Sequence, residues 1–187
     1  EDIVNLQRPQ LTEAWEELLQ RSKIEIMVLG DCQADTLQEE MVKAFGQIKN
    51  RRPAVCETRI VLEAQEERDI SETMAVAQSK LVMGFRTGTL LDTEEEIAAR
   101  LMTTVLGGTP HAKLFLQVRE ALSLCYYCSA RYYAMKGFML VESGVETRNI
   151  ERAKQEILAQ LEEIQKGNVT EEELVSAKLS LCNSYRT

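Results

Sequence analysis

The amino-acid sequence predicts an α+β domain in which helices cover one face of an antiparallel β-sheet. Segments of strand length, either apolar or alternating, follow one another with short connections, and this favours antiparallel pairing. Segments with apolar residues at helical spacing lie between and after them, and each such helix needs an apolar surface to cover. The predicted order of elements is α-β-α-β-β-α-α-β-β-α-α.

The composition is that of an ordinary globular protein with one large domain. The chain has 187 residues, of which 44% are hydrophobic and 28% charged, and this length suffices to bury a substantial core. A net charge of -8 argues against nucleic-acid binding, and no apolar run is long enough to span a membrane. We predict that residues 1–22 are a linker and incoming helix and that 23–187 form the domain. The first residue is Glu1 rather than Met, which suggests that a preceding segment is missing.

The first quarter of the chain predicts a helix, a strand and a second helix. Apolar residues at helical spacing form one stripe over residues 11–21, and Thr12 is the expected N-terminal cap. The apolar run 24–29 has the length and composition of a buried strand. Asp35 and the Gln three residues later resemble a capping box, which predicts a helix that ends at an Arg-Arg-Pro sequence.

Two strands and a helix are predicted next. Apolar and polar residues alternate over 59–64 and again over 73–85. The helix begins near Thr93, which forms a capping box with Glu96, and Gly107–Gly108 ends it.

The second half of the chain predicts a helix, two strands and two closing helices. Pro110 suits the first turn of the first of these helices. Side chains alternate with period two from Tyr126 to Tyr133, Gly137 marks a turn, and Phe138 to Val145 predicts the next strand.

The two closing helices differ in how they begin and end. The first closing helix ends at Gly167, and Thr170 with Glu173 caps the second. The second extends to Thr187 without a stop signal, which suggests truncation at that end too.

Few residues can carry chemistry. His111 is the single imidazole, so a zinc site with two histidines cannot form within this chain, and we expect His111 to be exposed. The five cysteines are an odd number without framework spacing, which predicts reduced, buried thiols in a cytoplasmic protein. Cys125 and Cys128 have the spacing of a redox or zinc motif. In a strand, however, positions three apart face opposite sides, so we predict that they are packing residues.

Arg119 and Tyr126 are the candidate binding residues. Arg119 lies on a predicted helix that leads into the strand at Tyr126, and this arrangement can return both side chains to one edge of the sheet. A guanidinium and a phenol placed there could hold a peptide backbone or a carboxylate by hydrogen bonds. The alternative is a salt bridge from Arg119 and a half-buried Tyr126 without a ligand.

The segment around these two residues contains a series of short motifs, Leu106-Gly107-Gly108, Ala112-Lys113-Leu114-Phe115, Gln117-Val118-Arg119-Glu120 and Leu124-Cys125-Tyr126. Flanking segments continue the pattern over about residues 20–187, namely Met83-Gly84-Phe85-Arg86-Thr87-Gly88 and the stretch from Gly167 to Leu174. In this order the motifs resemble the pitrilysin/insulinase-type zinc metallopeptidases, the family of pitrilysin, insulin-degrading enzyme and the mitochondrial processing peptidase.

The resemblance implies the second, non-zinc-binding domain of one half of such a peptidase, with the fold shared by LuxS and the mitochondrial processing peptidase. It implies that Arg119 and Tyr126 contact peptide substrate and that Gly107 and Gly108 belong to a loop that handles substrate. It implies that zinc and catalysis belong to a His-x-x-Glu-His domain or partner chain, within a homo- or heterodimer of the full-length protein. This chain has no such motif, so it holds no cofactor and no catalytic residue, and alone it should be inactive.

Two functions therefore remain open. The chain could form part of the chamber wall of a peptidase and contact the peptide there. It could instead be a structural subunit of the same fold that has lost peptidase function.

Overall fold

The computed structural model describes residues 2–55 and 58–186, and the contacts of the chain group it into two compact units, Glu1–Thr58 and Arg59–Thr187. The predicted α+β class is confirmed, because a three-stranded antiparallel sheet and several helices are present. None of the helices within the described residues is long and apolar enough to cross a membrane.

The first unit contains two helices, α1 (Arg8–Arg21) and α2 (Ala34–Gly46), after a short 3-10 turn. Helix α1 begins four residues before the predicted cap, because Pro9 occupies its first turn, where proline is compatible with helix geometry. The prediction that Thr12 is the cap is therefore wrong, and its hydroxyl donates to the carbonyl of Arg8 instead. Asp35 is likewise no cap, since it lies inside the first turn of α2, where its charge suits the helix dipole.

The strands predicted at 24–29 and 59–64 are wrong, because both segments are irregular. A strand forms only where a neighbouring strand satisfies its backbone N–H and C=O groups. The described part of the first unit contains no strand, so the run 24–29 has no strand partner within its own unit, and Leu29 is fully exposed. The strand predicted at 73–85 exists but begins later, at Ser79.

The sheet lies in the second unit and has the order β1-β3-β2. Its strands are β1 (Ser79–Arg86), β2 (Cys125–Tyr133) and β3 (Phe138–Val145), all antiparallel. The predicted turn is confirmed at Gly137, whose φ of 62° lies in the left-handed region that glycine adopts without strain. The predicted strand 138–145 is also confirmed.

The helices of the second unit are α3 (Glu96–Gly107), a π-helix (Leu114–Ala121), α4 (Ile150–Gln165) and α5 (Glu171–Ser184). The helix expected to open at Pro110 begins only at Leu114 and is of the wider π type. Helix α5 ends at Ser184 rather than continuing to Thr187, which itself lies outside the described residues.

One of the two predicted capping boxes in this unit is confirmed. The hydroxyl of Thr170 accepts from the backbone N–H of Glu173 at 3.2 Å, and the Glu173 carboxylate accepts from the N–H of Thr170 at 2.9 Å. The box predicted at Thr93 is wrong, because α3 begins only at Glu96 and the Thr93 hydroxyl donates to the carbonyl of Leu90. Glu96 accepts instead from the N–H of Asp92 at 3.0 Å, and this bond lowers the pKa of its carboxyl group.

The core lies between the sheet and the helices. We call the side of the sheet that packs on these helices the core face. Its interior residues come from α3, the π-helix, α4 and the two strands β2 and β3, and they include Leu106, Leu114, Val118, Cys128, Met139, Val141, Val145 and Ile157. Beside it, the ammonium of Lys113 lies 3.0 Å from the carboxylate of Glu173, and both side chains are nearly buried. The start of the π-helix is thereby joined to the start of α5.

Candidate functional site

The π-helix places Arg119 at the edge of the core. Leu114 and Val118 are fully buried on its inner side, and this fixes the orientation of the helix against the sheet. Phe115 lies four residues before Arg119, so the two side chains share a face, and the guanidinium carbon lies 4.5 Å from the centre of the Phe115 ring. Its Nε is 3.5 Å from a carboxylate oxygen of Glu120. Of the Arg119 side chain 41% is exposed, so the guanidinium is held in place and still accessible.

A tight connection joins the π-helix to β2. Ser123 has a φ of 51°, in the left-handed region that is costly for a residue with a side chain. The N–H of Leu124 donates to the carbonyl of Val118 at 3.0 Å, and Leu124 is buried. The chain therefore turns from the π-helix into the sheet within three residues, and Arg119 and Tyr126 lie close to either side of this turn.

Strand β2 contains a β-bulge at Tyr126. Cys125 pairs with Val145 and Tyr127 pairs with Gly144, which leaves Tyr126 as the extra residue. In a regular strand Tyr126 would share the core face with Cys128, two residues later. The bulge removes it from that face, and Tyr126 is 62% exposed.

The same bulge makes one part of our prediction for the two cysteines of this strand wrong: they are packing residues, but they do not face opposite sides. Cys125 and Cys128 are opposite Val145 and Ser143, and both pack on the core face rather than on opposite faces. Burial raises the pKa of the Cys125 thiol and raises that of Cys128 to about 12, so both remain protonated at neutral pH.

Among the four cysteines that the structure describes, the expectation of burial holds for Cys128 alone. Cys32 and Cys182 are exposed, and Cys125 is half-buried. Cys56 lies outside the described residues.

Arg119 and Tyr126 line one open cleft of about 400 Å³, which we call the Arg119–Tyr126 cleft. The structure thus brings the two candidate residues together at the end of the sheet where β2 begins and β3 ends. The cleft combines a guanidinium and a phenol with two carboxylates and an amide, so it offers both donors and acceptors to a ligand. Its other lining residues are Glu120, Ser123, Leu124, Cys125, Glu146 and Asn149.

Such a mixture of groups suits the backbone of an extended peptide. Each peptide unit presents one C=O acceptor and one N–H donor. The guanidinium of Arg119 can donate to a carbonyl or a terminal carboxylate, and the phenol of Tyr126 can donate or accept. The carboxylate of Glu146 is already 2.7 Å from Arg148, so its charge is partly compensated.

Gly107 and Gly108 are not among the residues that line this cleft. Gly107 ends α3 and is buried against β2, where an added Cβ would lie 2.5 Å from the backbone nitrogen of Ala130. Gly108 follows it and is exposed. The structure gives Gly107 a packing role, and a role of the pair in substrate handling stays a prediction.

The described residues of this chain do not form a site that fits a zinc ion. Tetrahedral zinc sites use at least three His, Cys, Asp or Glu side chains. His111 is exposed, and across residues 2–55 and 58–186 no group of three or more such side chains is placed to hold a metal.

The decisive comparison is with protein-family models, where residues 5–181 match the description "Peptidase M16 inactive domain". The chain belongs to this family. The resemblance to the pitrilysin/insulinase-type peptidases is thereby confirmed, and the fold is that of a non-catalytic M16 domain.

Individual relatives of this M16 inactive domain agree with the family. A protein of Bacillus subtilis (strain 168) named "Probable inactive metalloprotease YmfF" is 28% identical over 98% of this chain and 43% of its own length. The crystal structure of a conserved protein from Enterococcus faecalis V583 has a TM-score of 0.73 and 28% identity, over 97% of this chain and 43% of that one. A peptidase M16 inactive domain from Pseudomonas fluorescens shares the fold, with a TM-score of 0.65 and 20% identity over 81% and 37%. The chain therefore spans less than half the length of these relatives.

Sequence reasoning missed Glu146 and Asn149, the cleft residues that follow β3. Their position could have been inferred from the predicted antiparallel pairing, because the residues after the end of β3 must lie beside the start of β2. The two predicted strands therefore indicated which residues follow β3, but only the register between β2 and β3 places those residues beside Tyr126.

Proposed function

We propose that this M16 inactive domain forms part of the wall of a peptidase chamber and contacts the peptide substrate through Arg119 and Tyr126. The observation that supports this proposal is that both side chains, seven residues apart in sequence, are exposed and line one cleft. A peptide lying in the cleft would receive a charge-assisted hydrogen bond from the guanidinium and a neutral one from the phenol.

Hydrolysis itself would take place elsewhere. We propose that zinc is held by a His-x-x-Glu-His domain of the same protein or of a partner chain, within a homo- or heterodimer in the cytoplasm. In that arrangement the domain proper is 23–187, and residues 1–22 lead into it. Binding by Arg119 and Tyr126 would then act on the affinity for the peptide, whereas zinc in the other domain would supply the activation of water that hydrolysis needs.

The experiment is peptide cleavage by the intact protein in its natural assembly, with Arg119→Ala and Tyr126→Phe variants. Loss of a charge-assisted hydrogen bond costs about 1.5–3 kcal/mol, so we expect Arg119→Ala to raise KM by about ten- to a hundredfold. Tyr126→Phe removes a neutral bond, and an increase of about two- to tenfold is expected. In both variants kcat should stay close to that of the wild type, because uniform binding contributes to KM alone.

Arg131→Ala is the matched control for the charge. Arg131 is an exposed arginine of β2, the strand that contains Tyr126, and it is not among the residues that line the cleft. A general effect of net charge would appear in this variant too. If Arg119→Ala and Tyr126→Phe cleave peptide as the control does, the substrate contact is excluded.

The second candidate function is a structural subunit that has lost peptidase work. One observation favours it, since the Bacillus subtilis relative is named a probable inactive metalloprotease. This alternative predicts that the full assembly has no peptidase activity, or an activity that is indifferent to both substitutions. Stability of the assembly would then be the property that depends on this chain.

A further inference from the structure

The bulge in β2 has specific contacts on both faces of the sheet. On the core face, the hydroxyl of Ser143 donates to the carbonyl of Tyr127 at 2.9 Å. Ser143 is fully buried in β3 directly opposite Cys128. A bulge interrupts the ladder of backbone hydrogen bonds, so a buried donor aimed at the residue beside it replaces part of what the ladder would supply.

On the opposite face, Gly144 leaves room for an aromatic ring. An ideal Cβ at Gly144 would lie 2.5 Å from Cε1 of Tyr127 and 2.6 Å from Nε2 of Gln78. The ring of Tyr127 therefore crosses β3 over Gly144, where an added Cβ would force the ring to move. Tyr127 is thus held from one side through its carbonyl and from the other through its ring.

These contacts determine where the preceding residue points. With Tyr127 fixed opposite Gly144 and Cys125 fixed opposite Val145, Tyr126 is the one residue of this part of β2 with no partner across the strand pair. It can return to the core face only if the register shifts by one residue, which would turn Cys125 out of the core. The bulge and the exposure of the Tyr126 phenol are therefore one structural feature.

We propose that Ser143 and Gly144 are positioning residues that hold the β2 bulge and thereby direct Tyr126 into the Arg119–Tyr126 cleft. The part of this inference that concerns peptide binding rests on the proposed function, whereas the orientation of Tyr126 does not. Neither Ser143 nor Gly144 is among the residues that line the cleft, so each acts through Tyr126.

The first measurement reads the orientation of Tyr126 directly in the intact protein. 3-Fluorotyrosine is placed at position 126, and its 19F chemical shift and solvent isotope shift are compared in wild type, Ser143→Ala and Gly144→Ala. We expect both substitutions to change the environment of Tyr126. The matched controls are Ser129→Ala, at an exposed serine of β2, and Gly84→Ala, at a strand glycine whose Cβ would meet only Leu140 at an ordinary 3.5 Å. Both controls should leave the 19F signal unchanged.

The second measurement is the affinity for a fluorescein-labelled mixture of random decapeptides, followed by fluorescence polarisation. Loss of the buried Ser143 hydrogen bond should raise Kd by about three- to tenfold. In a Tyr126→Ala background the same substitution should have no further effect, because the two residues act as one unit. A merely structural loss would instead lower affinity equally in both backgrounds.

The outcomes separate the two proposals. If the 19F signal of Tyr126 is the same in Ser143→Ala, Gly144→Ala and wild type, the positioning role is overturned. If that signal changes but peptide affinity is indifferent to Tyr126→Ala, the positioning role stands and the proposed peptide contact fails. Circular dichroism checks folding, and if Gly144→Ala does not fold, Ser143→Ala alone decides.

Discussion

At Gly107 the backbone of α3 approaches β2 so closely that no methyl group fits. An added Cβ would lie 2.5 Å from the backbone nitrogen of Ala130 and 2.9 Å from its Cβ. The backbone of a paired strand cannot rotate away as the end of a side chain can, so the helix itself would have to move. We expect Gly107→Ala to lower the free energy of unfolding by about 2 kcal/mol, as overpacking of a core does.

Urea denaturation of Gly107→Ala and Gly84→Ala measures this effect against a control. The Cβ of Gly84→Ala would meet only the Leu140 side chain at 3.5 Å, so a change below about 1 kcal/mol is expected there. Equal midpoints for the two variants would contradict the close approach. The close packing of α3 on β2 is by itself a sufficient reason for a glycine at position 107.

At the scale of residues, the sequence could place Arg119 and Tyr126 together but could not show how. Their spacing across a helix-to-strand junction predicted a shared edge of the sheet, and the structure has both side chains in one cleft. The orientation of the cysteines was wrong, because it assumed a regular strand. One inserted residue moves every later side chain to the other face, and nothing in the letters Cys-Tyr-Tyr-Cys reveals that insertion.

At the scale of elements, the two capping boxes predicted around α3 and α5 provide a matched pair. In α5 the Thr170 hydroxyl satisfies an N–H at the helix start, whereas the Thr93 hydroxyl donates to a carbonyl in the turn before α3. We expect Thr170→Ala to destabilise the protein by about 1 kcal/mol and Thr93→Ala by less than about 0.5 kcal/mol. Thermal and urea unfolding of the two variants will measure this, and a larger loss in Thr93→Ala would reverse the assignment of the caps.

The elements that the sequence predicted well are those whose partners are close in the chain. Strands β2 and β3 are joined by the turn at Gly137, so alternation and a glycine suffice to define the pair. Strand propensity elsewhere measures only how well a segment fits a sheet that is already present. The run 24–29 has that propensity but no described strand beside it in its unit, and it is irregular.

The π-helix illustrates a different limit of sequence patterns. The apolar spacing of Leu114, Phe115 and Val118 predicted an α-helix, and this type is wrong, because the segment forms a π-helix whose wider turn accommodates the same spacing. The start was predicted too early because proline permits a first turn but does not require one. Since π-helical segments are found frequently at functional sites, the location of this one beside the cleft agrees with the proposed role.

At the scale of the whole molecule, two segments that carried the family resemblance meet in space. Lys113 belongs to the motif before Arg119, and Glu173 belongs to the start of the closing helix, and their nearly buried charges are 3.0 Å apart. Glu173 also completes the Thr170 capping box. Glu173 therefore takes part in both the ion pair and the helix cap, and it joins the start of the π-helix to the start of α5.

The last prediction concerns the proposal that zinc is held by another domain and not by this chain. A stable zinc site needs three or four side chains that converge on one point, and this chain has a single, exposed histidine. Cys125 and Cys128 do share the core face, but burial keeps both thiols protonated, while zinc binds the thiolate. We therefore expect the purified 187-residue chain, dialysed after exposure to zinc, to retain much less than one zinc ion per chain.

Mass spectrometry of metal content decides this prediction, and a His-x-x-Glu-His domain treated in the same way is the positive control. Peptide cleavage by the chain alone should equal the buffer blank, and it should appear only when a zinc-bearing domain is present. One zinc ion per chain that survives dialysis would contradict the proposal that all metal chemistry belongs to another domain. Zinc that is retained by the wild type but lost in Cys125→Ser would show that the metal binds at the bulge, where the sulfur atoms of Cys125 and Cys128 lie on one face.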